Sequence, residues 1–439
     1  MSTPTTGSST EASPTPPSED HPEEQTKHGP SGQAALLRQV ASSPAIVGLL
    51  AVLTALILSS ILILAADSEV RYTATYLLNR PGDFLHATAS TLSEAYSSLL
   101  RGAVFDWRAT TGVRMIRPIT DTLTNATPLI IAGLGMAVAF RAGLFNIGGQ
   151  GQMILGAITA CYVGIAWNLP PVAHLLLAVV GAALGGLVWG GIAGVLKART
   201  GANEVIVTIM LNSIAAHLLS QVLSLKAFNG EGETGNRKSL TVADAAQYPW
   251  LAGDSFRLHA GFLLALLVAV AVWWLMERSR LGFQLRATGL NADAARTAGM
   301  SVPWVTSLVM MISGALCGLA ATAPVLGTQK SMDESVVGTI GFDAITVALL
   351  GRSRPVGTVL AGLLFGALRA GGTAMQAAPG THIKIVLVLQ STIVLFIAAP
   401  PLIRAIFRLP ERRDTLGGTA PSPASVPAAA PAAPAAKEA

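Results

Sequence analysis

Asn125-Ala-Thr-Pro-Leu-Ile-Ile-Ala-Gly-Leu-Gly-Met-Ala-Val-Ala-Phe-Arg-Ala-Gly-Leu-Phe-Asn-Ile-Gly-Gly-Gln-Gly-Gln152 carries the reading of the whole chain. Its first half is apolar and uncharged up to Arg141. Its second half interleaves Gly143, Gly148, Gly149 and Gly151 with Asn146, Gln150 and Gln152, and a further apolar run follows. Two hydrophobic helices joined by an unwound, amide-rich break fit this pattern, because glycine frees the backbone and amides at membrane depth demand hydrogen-bond partners. A polar neutral solute such as a sugar would supply those partners. Equally, the amides would tie helices together or cap the next one. The residues leave both roles open.

Working outward, apolar runs approaching the roughly 20 residues needed to cross a bilayer recur along the chain. They fall at 44–65, 118–140, 150–167, 172–197, 204–225, 259–276, 303–326, 341–350, 355–372 and 383–407. The expectation is an all-α polytopic bundle of about ten spans, the eighth too short to cross alone and therefore broken or re-entrant. Residues 34–409 form the membrane domain. Residues 1–33 (Ser, Thr, Pro and Glu) and 410–439 (Pro and Ala) have no apolar periodicity and are expected as disordered tails. The polar leader also makes the first run an anchor and not a signal peptide.

Composition agrees. Of 439 residues, 51% are hydrophobic and only 12% charged, against about a quarter in soluble domains. The 44 glycines suit helices that approach closely in lipid: Gly181, Gly185, Gly190 and Gly194, Gly314 with Gly318, and Gly362 with Gly366 all fall near four-residue spacing. The net charge of +5 is scattered between apolar stretches, which argues against a nucleic-acid partner. Lys197, Arg199, Arg278, Arg280, Arg286, Arg296, Arg352, Arg354, Arg404, Arg408, Arg412 and Arg413 share one side of the expected topology. That side is read as cytoplasmic, with both termini inside, and 67–117 and 226–258 as outer loops.

Chemistry is conspicuous by omission. There is no Gly-x-x-x-x-Gly-Lys-Ser/Thr phosphate loop, no His pair at i and i+4, and no Gly-x-Ser-x-Gly elbow. Cys161 and Cys317 lie in apolar runs and read as small buried hydrophobes. Nothing here suggests an enzyme, a metal site or a bound cofactor. Energy for uphill transport would come from a partner.

Three further segments stand out. In Lys197-Ala-Arg-Thr-Gly-Ala-Asn-Glu204, Thr200 or Asn203 caps the next helix, while Asn212, two turns deeper, is a candidate for lining a pathway. In 277–303, Asn291 is a natural N-cap, Asp293 sits in the first turn, Ala294, Ala295 and Ala298 propagate a helix and Gly299 ends it. A short capped helix between two spans is suited to docking on a partner. In Gly341-Phe-Asp-Ala-Ile-Thr-Val-Ala-Leu-Leu-Gly351, Asp343 reads as a cap.

Together these segments resemble the permease subunits of the ABC importers for nucleosides and simple sugars, which are related to the branched-chain amino-acid permeases. The resemblance runs from about Thr120 to Ile397. It rests on Arg141-Ala-Gly-Leu-Phe-Asn-Ile-Gly148 with Gly151-Gln152, Gly201-Ala-Asn-Glu-Val-Ile206 with Met210-Leu-Asn212, Arg286-Ala-Thr-Gly-Leu-Asn291 with Ala294, Ala295 and Gly299, and Gly341–Gly351. The Gly-Ala-Asn-Glu form looks most like the nucleoside branch.

The resemblance implies two pseudo-symmetric halves and a multi-pass protein of the cell membrane. It also implies a pore made with a second permease chain, the same or homologous. ABC ATPase subunits, which would use the ATP, would dock on a coupling region in 277–303 that includes Arg286, Gly289, Asn291, Ala294, Ala295 and Gly299. An extracytoplasmic solute-binding protein or lipoprotein would deliver the solute. Asn146, Gln150, Gln152 and Asn212 are the candidate pathway residues. Ribose-type sugars are the nearest alternative substrates, branched-chain amino acids come third, and an ATP-independent channel or facilitator is the rival mechanism.

Overall fold

The computed structural model describes residues 44–229, 237–377, 391–392, 395–396 and 400–408. The bundle lies within Gly48–Phe407. Its described α-helices of six residues or more are α1 (Pro44–Ala66), α2 (Ser68–Ala74), α3 (Pro81–Ala103), α4 (Gly112–Arg141), α5 (Gly149–Ala166), α6 (Pro171–Thr200), α7 (Glu204–Leu223), α8 (Gly261–Arg278), α9 (Arg280–Leu290), α10 (Ala292–Thr297), α11 (Val302–Ala320), α12 (Ile340–Leu350), α13 (Pro355–Ala377) and α14 (Pro400–Ile406). A six-residue π-turn, Ala323–Thr328, follows α11. Two isolated bridges are the only β pairing among the described residues.

α4 is the axis. From Ala126 to Ala139 every residue of it is buried, so an unbroken apolar run is surrounded by protein and not by lipid. α11 is likewise largely buried, whereas α6, α7 and α8 expose most of their apolar surface, as outer helices facing lipid do. α6 and α11 cross backbone to backbone. A Cβ on Gly186 would run into the Gly314 carbonyl, one on Gly314 into that of Gly186, and one on Gly318 into that of Ala182. Small residues here remove the spacer that would hold the helices apart, so dispersion contact replaces the hydrophobic drive that lipid cannot supply. The expected glycine pairs behave unequally: Gly190 and Gly194 abut α11, while Gly181 has only ordinary contact at 3.4 Å.

Six described helices are long and apolar enough to span a membrane, and the bent pair Leu53–Ala66 with Ser68–Ala74 raises the number to seven. The expected short eighth segment is α12, of 11 residues. The expected span 383–407 lies largely outside the described residues.

The stretch 67–117, expected as an outer loop, instead holds α2 and α3. α3 escapes a search for apolar runs because it is amphipathic, burying Ala87, Ala95, Ser98 and Ala103. Tyr96 anchors it to α1, donating to the Leu56 carbonyl at 2.9 Å, and the Gly102 backbone lies against Ala374 of α13. The stretch 237–260 is a strap. Its amides donate to the carbonyls of the π-turn and the residues after it, Tyr248 to Leu326 at 2.9 Å, Val242 to Lys330 at 2.9 Å and Ser239 to Met332 at 2.7 Å.

Gly186→Leu is expected to destabilise the purified protein by at least about 1–3 kcal/mol, the cost of overpacking. Gly181→Ala is expected to leave it unchanged. Thermal melting in detergent checks both, and equal melting of the two variants would refute the close crossing.

Candidate functional site

A cavity of about 240 Å³ opens between α4, the π-turn, residues 335–340 and α13. Thr124, Asn125 and Pro128 line it from α4, midway along that 30-residue helix and about 20–25 Å from Arg141 at 1.5 Å per residue. Two prolines shape the wall. Pro128 has no N–H to give the Thr124 carbonyl, and Pro324 opens the π-turn, where the Gln329 amide reaches back five residues to the Pro324 carbonyl at 2.9 Å. Pro128 thus takes the usual helical donor away from the Thr124 carbonyl, whereas the π-turn hands the Pro324 carbonyl to a donor one residue further on. Thr328 and Gln329 line the same space, and their side chains make no hydrogen bond among the described residues. Asn125 donates its amide to the Asp121 carbonyl at 2.9 Å, which leaves its carbonyl oxygen open.

Among the described residues one charge lines this cavity, that of Arg369 on α13. Its Nη2 donates to the Asp343 carboxylate and to Thr339 Oγ1 at 2.9 Å. Asp343 is not itself a lining residue. Expected as the cap of α12, it sits instead in the first turn behind Thr339, which holds the N-cap position, and its carboxylate neutralises the guanidinium. Behind the π-turn the strap residue Tyr248 bonds the Leu326 carbonyl through its amide and donates its hydroxyl to Thr322 at 2.8 Å. Burial pushes that phenol up to about 12 against the lowering effect of Thr322, so it remains a neutral donor.

None of the four amides singled out by sequence is among the residues that line this cavity, and all four bond within the bundle. Asn146, fully buried in the break between α4 and α5, donates to Gln152 Oε1 at 3.0 Å and to Ser313 Oγ at 2.9 Å. Its own oxygen accepts from the Gly148 amide at 2.9 Å and from Gln152 at 3.2 Å. Asn212 clamps the same break from α7, accepting from the Gly151 amide at 2.8 Å and donating to the Ile147 carbonyl at 3.0 Å. Gln150 reaches the cavity wall, donating to the Gly338 carbonyl at 2.7 Å and accepting from the Gly341 amide at 3.2 Å. Gln150 and Arg369 thus hold the start of α12 from opposite neighbours.

The expected coupling residues gather at the end of the bundle where α4, α6 and α8 finish. The single capped helix expected there becomes two. Ser279 caps α9, accepting from the Gly282 amide at 2.9 Å, and Asn291 caps α10, accepting from the amides of Asp293 at 3.0 Å and Ala294 at 2.9 Å. Gly289 has no room for a side chain, because a Cβ there would strike the Arg141 carbonyl and Ala142. Ala294 is exposed, Ala295 is buried and Gly299 ends the segment with φ +81°. Arg286 is half-buried at the back of α9. Among the sequence's cap candidates Asn203 caps α7, accepting from Val205 at 2.9 Å, while Glu204 pairs with Lys197 at 2.8 Å.

Sequence reasoning passed over Asn125, Thr328, Gln329 and Arg369. A signal for Arg369 was present: it is the charge inside the apolar run 355–372, and an ionisable group at membrane depth marks function by default. Asn146→Leu is expected to lower stability by roughly 2–4 kcal/mol, since Gln152, Ser313 and the Gly148 amide lose their partner at about 1–3 kcal/mol per orphaned group. Gln150→Ala, at a half-buried site, is expected to cost less than about 1 kcal/mol. Melting curves of the two variants decide the order.

Comparison with known proteins places these features. The family model "Branched-chain amino acid transport system / permease component" matches residues 119–398. NupP, the guanosine ABC transporter permease protein of Bacillus subtilis (strain 168), is 40% identical over 291 residues, covering 66% of this chain and 83% of the relative. TsgB13, the glucose ABC transporter permease protein of Haloferax volcanii, is 37% identical over 317 residues, 70% of this chain and 82% of the relative. NupB, the nucleoside ABC transporter permease protein of Lactococcus lactis subsp. cremoris, is 33% identical over 289 residues, 64% of this chain and 79% of the relative. The chain belongs to this family of ABC transporter permeases.

Proposed function

We propose that this permease moves nucleosides inward across the cell membrane by alternating access. The observation that carries the reading is the mid-height cavity: hydroxyl and amide side chains line it, and the one cation among its described lining residues is already neutralised by Asp343. Such a site offers hydrogen bonds to ribose hydroxyls and base edges without holding a charge. The likeness to permeases named for guanosine and for nucleosides supports the same choice.

In this reading α9 and α10 face the cytoplasm, with both termini on that side, and dock into ABC ATPase subunits. ATP binding there closes the ATPases and shifts α9 and α10, and the bundle exchanges its opening across the cavity. A second permease chain, the same or homologous, completes the pore, and an extracytoplasmic binding protein delivers the solute. This chain itself binds no ATP and no cofactor.

A sugar is the second reading. It is supported by the 37% identity to a permease named for glucose, and by a cavity lining without an aromatic ring on which a base could stack.

Labelled guanosine and uridine uptake in cells lacking and regaining the chain tests the substrate, with unlabelled glucose and ribose as competitors. Restored uptake resistant to both sugars is the expected result, and uptake abolished by either would transfer the assignment to sugars. Ala294→Arg tests the coupling. Because Ala294 is exposed, the substitution should leave the fold intact and cut uptake by more than about tenfold, a bulky charge at a docking face costing at least 1.4 kcal/mol. Full uptake by this variant would favour a facilitator that needs no ATPase.

A further inference from the structure

We infer that the Arg369–Asp343 pair is a charge filter: it holds the centre of the pathway electrically neutral, so that uncharged polar solutes pass and their phosphorylated forms do not. The inference rests on the cavity being the solute pathway and goes beyond it by assigning what sets the charge class of the cargo.

Arg369 lies 14 residues into the 23-residue α13, near the height at which α4 contributes Asn125 and Pro128. An isolated guanidinium at that depth is costly, and Asp343 and Thr339 offset the cost through one nitrogen, Nη2. The remaining guanidinium N–H groups have no partner among the described residues and belong to a side chain that lines the cavity. They present directional donors suited to a carbonyl or hydroxyl oxygen. The pair's net charge is zero, and the remaining lining is neutral. A neutral nucleoside or sugar therefore exchanges its water for hydrogen bonds at little electrostatic cost. A phosphate would have to shed its hydration without an uncompensated cation to receive it, and such a transfer is prohibitive. Binding an anion by displacing Asp343 from Arg369 would strand the carboxylate at membrane depth instead.

The filter predicts opposite effects from its two halves. A structural tie predicts the same damage from either. The two native cysteines, Cys161 and Cys317, are buried, so Thr328→Cys supplies a single reporter thiol on the cavity lining. In cells expressing the full chain, its reaction rates would be measured with anionic sulfonatoethyl and cationic trimethylammonioethyl methanethiosulfonate. Each rate is normalised to neutral methyl methanethiosulfonate, which also reports that the cavity remains open.

Asp343→Asn is expected to raise the anion-to-cation rate ratio about tenfold or more, because it leaves a unit positive charge nearby in a medium of low effective dielectric. Arg369→Gln is expected to lower the ratio by a similar factor. Because either single variant leaves a charge unpaired, the doubly neutral Arg369→Gln/Asp343→Asn chain serves as the control, with a ratio near that of the parent. Ratios within twofold of the parent in both single variants, with the reporter still reactive, would overturn the filter and leave the permease reading standing. A reporter unreactive from either side would overturn it by removing the cavity from the aqueous route. The expected shifts in a protein that restores no guanosine uptake would uphold the filter and refute the nucleoside assignment alone.

Discussion

Lipid accepts no hydrogen bonds, and the structure is organised around that constraint. Wherever α4 and α5 give up helical regularity, at the Gly143–Gly148 break, amides from three directions take over the exposed backbone. Asn146 accepts from the Gly148 amide within the break, Asn212 reaches in from α7, and Gln152 and Ser313 close the network from α5 and α11. The bonds from Asn146 to Ser313 and Gln152, and from Asn212 to the Ile147 carbonyl, tie the irregular segment to regular helices. The break is therefore a rigid feature of a buried core, and the helices that surround it are positioned by it.

The cavity is the complementary case. Pro128 and Pro324 bring no N–H of their own to its wall, and the side chains of Asn125, Thr328 and Gln329 line the same space. Irregular backbone is tolerated at membrane depth only when buried in protein or lining a watered space. The break illustrates the first condition and the π-turn the second. The strap at 237–260 makes the second possible, since its backbone pins Leu326, Lys330 and Met332.

The sequence made the helical membrane architecture legible because long apolar runs report burial in lipid or protein without regard to partners. It made the caps at Asn203 and Asn291 legible because capping is local. It could not separate α4, buried on all sides, from α6, largely facing lipid, since both are simply apolar. It missed α3, whose stability comes from small residues packed on α13 and not from an apolar run. The amides were identified as important, but whether an amide faces a solute or a neighbouring backbone is a property of tertiary packing. Gln150 and Asn146 look alike in the sequence, yet one braces the cavity wall and the other is sealed in the core.

The connection between the proposed docking region and the cavity follows from where close approaches occur. Gly289 at the end of α9 sits directly on the backbone of Arg141 and Ala142, with no side chain between to cushion a displacement. Arg141 in turn grips the end of α8 through Glu277 at 3.0 Å and the turn after α12 through the Ser353 carbonyl at 3.1 Å. α12 leads back to Asp343, and α4 leads back to Pro128 and Asn125. A shift of α9 therefore reaches both walls of the cavity through two stiff helices that share one arginine at their base. Packed interfaces of this kind switch between discrete arrangements more readily than they deform continuously. Under that rule the softest points on the route are the π-turn and the residues leading into α12, where helical hydrogen bonding is already relaxed. Those are the elements whose movement would open the cavity to one side or the other, while the amide-locked break between α4 and α5 stays in place.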